Sequence, residues 1–164
     1  GKLALREELF DVDELVQEII ENLQGTTHTH HLQMQGATHA RVSGDKDRIG
    51  QVLINLLTNA IKYSQEADAV IIHLSREPEN VTISVQDFGI GISEDHQQRI
   101  FERFYQVSGP DEMPFSGLGI GLFISNEIVQ RHHGRMWVKS SKGNGATFSF
   151  TLPLHQSESS AVKG

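Results

Sequence analysis

The sequence predicts an α+β domain: strands mostly in antiparallel pairs, with a few helices packed on one face. Two pairs of β-rich runs point this way. Val70–Arg76 and Val81–Asp87 are joined by Glu77-Pro78-Glu79-Asn80, a good hairpin turn, and Trp137–Ser141 and Thr147–Leu154 flank Gly143–Ala146. A third observation is the helical pattern over about Lys46–Tyr63. At roughly 100° per residue, Ile49, Leu53, Leu56, Leu57 and Ala60 gather on one broad face. A chain of 164 residues fits one domain better than two.

The remaining elements follow in order. Leu3–Phe10, with apolar Leu3, Leu5 and Leu9, reads as a strand. Asp11 can cap a helix whose residues Val12, Leu15, Val16, Ile19, Ile20 and Leu23 follow the i, i+3, i+4 pattern. Gly25–His30 is a polar break. Leu32–Gln35 and Ala40–Ser43 read as short strands with Gly36 between them as a turn. Gly44-Asp45 opens the long helix, and Ser93 begins a short one toward Ile100. Phe101–Ser116 has little periodicity and contains Gly109, Pro110 and Pro114, so it reads as a long loop of the kind that often serves as an active-site lid. Leu118–His132 is helical, with Gly134 as its stop. Residues 1–155 form the domain, and the polar stretch 156–164 is a disordered tail.

Composition narrows the function. Fourteen Lys+Arg against 21 Asp+Glu leave a net charge of −7, which argues against a duplex nucleic-acid binder and against docking on anionic lipid. The absence of cysteine excludes disulfides, zinc–thiolate sites and a cysteine nucleophile. No apolar run approaches the roughly 20 residues needed to span a bilayer, and no signal peptide opens the chain. Seven of the 15 glycines fall in three clusters: Gly89/Gly91, Gly117/Gly119/Gly121 and Gly143/Gly145.

Several clusters of residues could carry chemistry. Asn55, Asn59 and Lys62, spaced i, i+4, i+7, share a narrow stripe of the long helix. Two amides and an ammonium offer oxygen ligands for a hard cation and charge for a phosphate, although the same stripe suits a solvated face. Asp87-Phe88-Gly89-Ile90-Gly91-Ile92 follows a β-run. Its carboxylate can accept from an exocyclic amine such as that of adenine, and its glycines let backbone pass close to a flat ligand; a plain strand-ending turn fits equally. It is not the protein-kinase metal motif, because no HRD sequence exists here. Ser116-Gly117-Leu118-Gly119-Ile120-Gly121-Leu122 runs into a helix, whose N-terminal N–H groups make a ready anion site. It is neither a Walker A loop nor the dinucleotide fingerprint. His28, His30 and His31 read as a solvated polar loop. His132 and His133 end a helix, where a cation suits the dipole and a structural role outweighs catalysis.

Taken together, these segments resemble the ATP-binding catalytic domain of sensor histidine kinases, in the GHKL superfamily with DNA gyrase B, Hsp90 and MutL. "QVLINLLTNAIKYS" (Gln51–Ser64) is similar to the N box, "DFGIGI" (Asp87–Ile92) to the first glycine box and "IFERFYQ" (Ile100–Gln106) to the F box. "GLGIGLFI" (Gly117–Ile124) and "GNGATF" (Gly143–Phe148) are similar to the second and third glycine boxes. The resemblance covers roughly Leu9 to Pro153. It implies a Bergerat-type α/β sandwich with a mixed, mostly antiparallel sheet, helices on one face and an ATP lid at Phe101–Ser116.

The resemblance also implies roles. Asn59 would bind Mg²⁺, Asn55 would lie near the γ-phosphate, Lys62 would contact phosphates and Tyr63 would flank the nucleotide. Asp87 would accept the adenine amine, with Gly89 and Gly91 shaping that pocket and Thr147 as a weaker adenine-side candidate. Phe101 and Phe104 would anchor the lid, with Arg103 as a lid cation. Gly117, Leu118, Gly119 and Gly121 would meet the phosphates, chiefly through backbone amides. Superfamily ATPases that activate water usually carry a glutamate where this chain has Asn55, and an amide cannot be a general base, so phosphotransfer to a histidine is favoured over hydrolysis. None of the nine histidines sits in a sequence like H-E-L-R-T-P. The resemblance thus implies a catalytic domain, bounded by Gly1 and Gly164, whose partner is its own dimerisation and phosphoacceptor domain. The response regulator receiver domain is an indirect partner. A monomeric isolated domain, a homodimeric parent kinase and a cytoplasmic location for the catalytic domain are implied as well. The rival readings are a nucleotide-binding domain without transfer activity, a gyrase B/Hsp90/MutL-type ATPase and an anti-sigma kinase module.

Overall fold

A computed structural model of the chain describes residues 4–64, 67–102 and 118–155, with residues 118–120 described in backbone only. In chain order the elements are β1 (Glu8–Asp11), α1 (Val12–Gln24), β2 (His31–Gly36), β3 (Arg41–Gly44), α2 (Lys46–Lys62), β4 (Ala69–Arg76), β5 (Asn80–Gln86), α3 (Glu94–Gln97), α4 (Leu118–Arg131), β6 (Met136–Ser140) and β7 (Ala146–Pro153). All but the first two residues of the expected loop Phe101–Ser116, together with Gly117 and the expected tail 156–164, lie outside the described residues.

The main sheet has five strands in the order β2-β4-β5-β7-β6, with β1 and β3 forming a separate two-stranded ladder. Pairing in the main sheet is antiparallel except between β2 and β4. The period-2 alternation of β4, β5 and β7 sorts their side chains by face. Val70, Ile72, Leu74, Val81, Ile83, Val85, Phe148, Phe150 and Leu152 are buried in one core with Leu15, Val16, Ile19, Leu53, Leu56, Leu57, Leu122 and Val129 of the helices. The opposite face is polar: His73 Nε2 meets Gln86 Oε1 at 2.9 Å, and the hydroxyls of Ser84 and Ser149 meet at 2.7 Å. This is the mixed, mostly antiparallel α/β sandwich with helices on one face.

Three local expectations are corrected. The strand expected over Leu3–Phe10 is only Glu8–Asp11, because its partner β3 offers four residues, from Glu8↔Gly44 to Asp11↔Arg41. The face of β1 that enters the core carries Phe10, whereas Leu9 is 45% exposed. Gly36 does not turn β2 back onto β3. It ends a strand parallel to β4, at φ +82°, where an added Cβ would lie 2.3 Å from the Leu74 carbonyl oxygen. The parallel pairing is possible because β3 and α2 form the crossover that parallel strands require. At the end of α4 the left-handed residue is His133 (φ 64°) rather than Gly134. His133 N–H donates to Gln130 O (2.9 Å) and Gly134 N–H to Val129 O (3.0 Å), a Schellman closure.

The histidine expectations change too. His30 is not solvated: it is buried, with Nε2 2.8 Å from Ser64 O and Nδ1 2.8 Å from Thr29 Oγ1, pinning the end of α2. His132 is buried rather than a helix-end cation. Its Nδ1 donates to Ile128 O at 2.8 Å, so its Nε2 accepts the Asp45 N–H at 2.9 Å, the pattern of a neutral ring. The structural role expected for it holds.

Candidate functional site

Helix α2 is started by Asp45, whose carboxylate accepts from Arg48 N–H at 3.2 Å and Arg6 N–H at 2.9 Å. Burial pushes that carboxyl up, but these two backbone donors and the Arg48 charge more than offset it, and the net is below the usual carboxylate range. With one apolar face of α2 committed to the core, its last turns overhang the ends of β5 and β7. A cleft opens there. Its walls are Leu56, Asn59, Ala60 and Tyr63 of α2, Val85 and Asp87 at the end of β5, the loop Ile90–Ile92, and Ala146 and Phe148 of β7. The lining is mostly apolar with a few polar groups, the composition of a small-molecule site.

Asp87 is the charged group on the cleft wall, 7% exposed. Its Oδ1 accepts two backbone N–H groups, from Gly89 (3.0 Å) and Ala146 (3.2 Å), while Oδ2 has no hydrogen bond among the described residues. Burial raises its pKa, and the Gly89 and Ala146 donors offset only part of that rise. Burial also pushes the Tyr63 phenol up to about 12, so it is neutral at physiological pH. Asn59 faces the cleft with its Nδ2 buried and lacking a hydrogen-bond partner among the described residues.

The structure divides the other expected residues. The stripe Asn55, Asn59, Lys62 does not act as one surface. Asn55 turns toward α4, where its Nδ2 donates to Ser125 Oγ at 3.2 Å. Lys62 is exposed in the last turn, its ammonium 5.3 Å from the Tyr63 ring centre and outside the cleft wall. Gly91 lines the cleft. Gly89 is needed where the chain crosses the end of α2, since a Cβ would sit 2.0 Å from Tyr63 O. Gly121 is packed on Asn55, its would-be Cβ 2.5 Å from Asn55 Oδ1. These two glycines therefore let chain approach chain, which is a different use from the ligand approach expected of them. Phe101 stacks edge-on against Phe148, ring centres 6.3 Å apart. Leu118 and Gly119 lie in the first turn of α4, and Arg103, Phe104 and Gly117 are outside the described residues.

Thr147 is corrected. Strand alternation sends Ala146 and Phe148 to the cleft and Thr147 to the other face, and Ala146 supplies the N–H that reaches Asp87. Sequence reasoning missed Ala146, Ile90, Ile92 and Phe148 as wall residues. The parity of β7, with its apolar residues in alternation from Ala146, is the signal that marks the first and last of these.

Residues 44–156, which span every segment of the cleft, match the family of histidine kinase-, DNA gyrase B-, and HSP90-like ATPases. The chain belongs to this family. As a histidine kinase-, gyrase B- and HSP90-like ATPase domain it is an ATP-binding domain. The sensor histidine kinase WalK of Bacillus subtilis is 42% identical over 116 residues, 70% of this chain and 19% of that protein. A mycobacterial sensor histidine kinase, MprB, superposes with a TM-score of 0.79 at 26% identity, over 90% of this chain and 99% of that one. The histidine kinase ThkA, solved in complex with the response regulator TrrA, superposes with a TM-score of 0.76 at 27% identity, over 93% of this chain and 43% of that one. The chain spans less than a third of the length of the curated relatives it matches. Among the described residues no helix of this ATPase domain is long and apolar enough to cross a membrane.

Proposed function

We propose that this domain binds ATP with its adenine against Asp87 and delivers the γ-phosphate to a histidine on the dimerisation and phosphoacceptor domain of its own kinase. The observation that carries the reading is the state of the Asp87 carboxylate. One oxygen is committed to two backbone N–H groups and the other is left for a donor, which suits an exocyclic amine. The Gly121–Asn55 contact brings the N-terminal turn of α4 within one helical turn of Asn59, and the unpaired N–H groups of such a turn suit phosphate oxygens. A net charge of −7 is no obstacle to one small polyphosphate when backbone donors supply the site.

Asn59 fits a hard cation. Its Nδ2 is buried on the cleft wall without a partner among the described residues and suits a phosphate oxygen, while its Oδ1 is a ligand of the kind Mg²⁺ takes alongside substrate phosphates. Mg²⁺ held there would neutralise charge on the phosphates. In the transfer itself a histidine nitrogen attacks the γ-phosphorus, its bond to the bridging oxygen breaks, and ADP leaves. The protein's part is positioning and electrostatic stabilisation. Asn55, which donates to Ser125, cannot abstract a proton from water, and this supports transfer over hydrolysis. The further partners in this reading are a response regulator receiver domain downstream and a second kinase subunit in a cytoplasmic homodimer.

Incubating the domain with its dimerisation domain and γ-labelled ATP tests the proposal. Label on a histidine of the dimerisation domain is expected. Label released only as free phosphate would replace transfer by hydrolysis, and binding with neither outcome would leave a nucleotide-binding module.

A further inference from the structure

The antiparallel ladder between β5 and β7 ends at Gln86↔Thr147. Beyond it, the loop that carries Ile90, Gly91 and Ile92 into the cleft has no strand to hold it. Two side chains from outside the cleft take over. Gln97, the last residue of α3, donates through Nε2 to Ile92 O (2.7 Å) and to Ser140 O (2.6 Å). Ser140, the last residue of β6, donates from Oγ to Gly145 O (2.5 Å) and accepts the Ile92 N–H (2.8 Å). Gly143 N–H closes the joint on Ile90 O at 2.6 Å. The clasp therefore ties the loop after Asp87 to the turn before Ala146. Gly89 and Ala146, the two residues that donate to Asp87 Oδ1, lie on the two segments it joins.

We infer that Gln97 and Ser140 are positioning residues for base recognition: they hold the two segments that aim the Asp87 carboxylate into the cleft. Neither side chain lines the cleft, so both act through the backbone they bind. Both are half-buried, and their partners are loop and strand-end backbone groups rather than the apolar core. A polar joint of this kind fixes geometry more than it adds bulk stability, because its groups are also well solvated when unfolded. The inference rests on the reading of the cleft as an adenine-nucleotide site.

Calorimetric titration of the folded domain with ATP and with ITP, in Mg²⁺ buffer, tests it. ITP keeps the phosphates but presents a carbonyl oxygen where adenine presents its amine. Wild type should prefer ATP; equal affinity for the two would overturn the adenine reading and this inference with it. Given that preference, Ser140→Ala and Gln97→Met should each weaken ATP binding about tenfold, the scale of one lost hydrogen bond, and leave ITP binding less changed, so that the ratio falls. Ser140→Thr, which keeps the hydroxyl, should restore the ratio. A variant on the polar face of the sheet, Ser84→Ala, gives the effect of a distant loss of stability and should leave the ratio intact. An unchanged ATP/ITP ratio in Ser140→Ala and Gln97→Met would overturn the positioning role while leaving the adenine reading standing. Should Ser140→Ala not fold, Gln97→Met carries the same comparison.

Discussion

Asp45 and His132, 87 residues apart, share one buried hydrogen bond, from the Asp45 N–H to His132 Nε2 at 2.9 Å. It ties the first residue of the α2 cap to the end of α4, and the ring's other nitrogen is satisfied by Ile128 O. Helices α2 and α4 are thus joined at the end away from the cleft. His132→Ala would leave a buried N–H without a partner, at a cost of about 1–3 kcal/mol. Urea denaturation should show a lower midpoint with the slope unchanged. An unchanged midpoint would mean that water replaces the ring.

At the cleft end the same helices meet through Gly121 and Asn55. A methyl at Gly121 would fall 2.5 Å from Asn55 Oδ1, so the helices must separate or the amide must swing away from Ser125. Gly121→Ala should cost about 1–3 kcal/mol, as overpacking does, and should weaken ATP binding as well. Loss of stability with unaltered ATP affinity would confine this contact to folding.

In the proposed reading Asp87 trades stability for recognition. Its folded-state pKa is raised above 3.8, so the folded protein holds the proton more tightly than the unfolded chain. The buried charge is therefore unfavourable at neutral pH, and that cost is relieved as pH falls through the folded pKa. Asp87→Asn should raise the melting temperature at pH 7, and the gain should shrink toward acid pH. The same variant should bind ATP about ten- to a hundredfold more weakly, since a donor amide would face the adenine amine. Asp45 carries the opposite sign. Its pKa is lowered from 3.8, so its contribution is present at neutral pH and is lost as pH falls through the folded value. Asp45→Asn should destabilise at pH 7, and the difference from wild type should vanish in strong acid.

The turn after α4 makes two substitutions act against simple expectation. A Cβ on Gly134 would lie 1.9 Å from Thr151 O, so Gly134→Ala should destabilise although its φ is not in the left-handed region. His133 at φ 64° is the strained residue, and His133→Gly should stabilise by about 1 kcal/mol. Thermal unfolding of the two variants, moving in opposite directions, checks the assignment.

Much of this was legible in the residues, and the failures have a common cause. The β4–β5 and β6–β7 hairpins and the helices α1, α2 and α4 follow from local periodicity and turn chemistry, which are properties of adjacent residues. The parallel pairing of β2 with β4 is not local, and Gly36 looked like a turn because nothing nearby shows the Leu74 carbonyl it touches. Asp87 and the glycines were found by motif, yet the use of Gly89 and Gly121 depends on Tyr63 and Asn55, which only the tertiary structure brings close. Thr147 was misplaced by one residue, and in a strand one residue is the opposite face. His30 reads as solvated and His132 as a helix-end cation because a lone histidine carries no sign of the backbone groups that will satisfy it.

The central claim is that the cleft between α2 and the ends of β5 and β7 holds the base and phosphates of ATP. Backbone and side-chain amide spectra of the labelled domain, recorded with and without a non-hydrolysable ATP analogue and Mg²⁺, test it most directly. The account predicts large shifts at Gly89, Gly91 and Ala146 and at the Asn59 side-chain amide, with Thr147 and the polar face around Ser84 and Ser149 little changed. Shifts confined to that polar face, or none at saturating analogue, would contradict it.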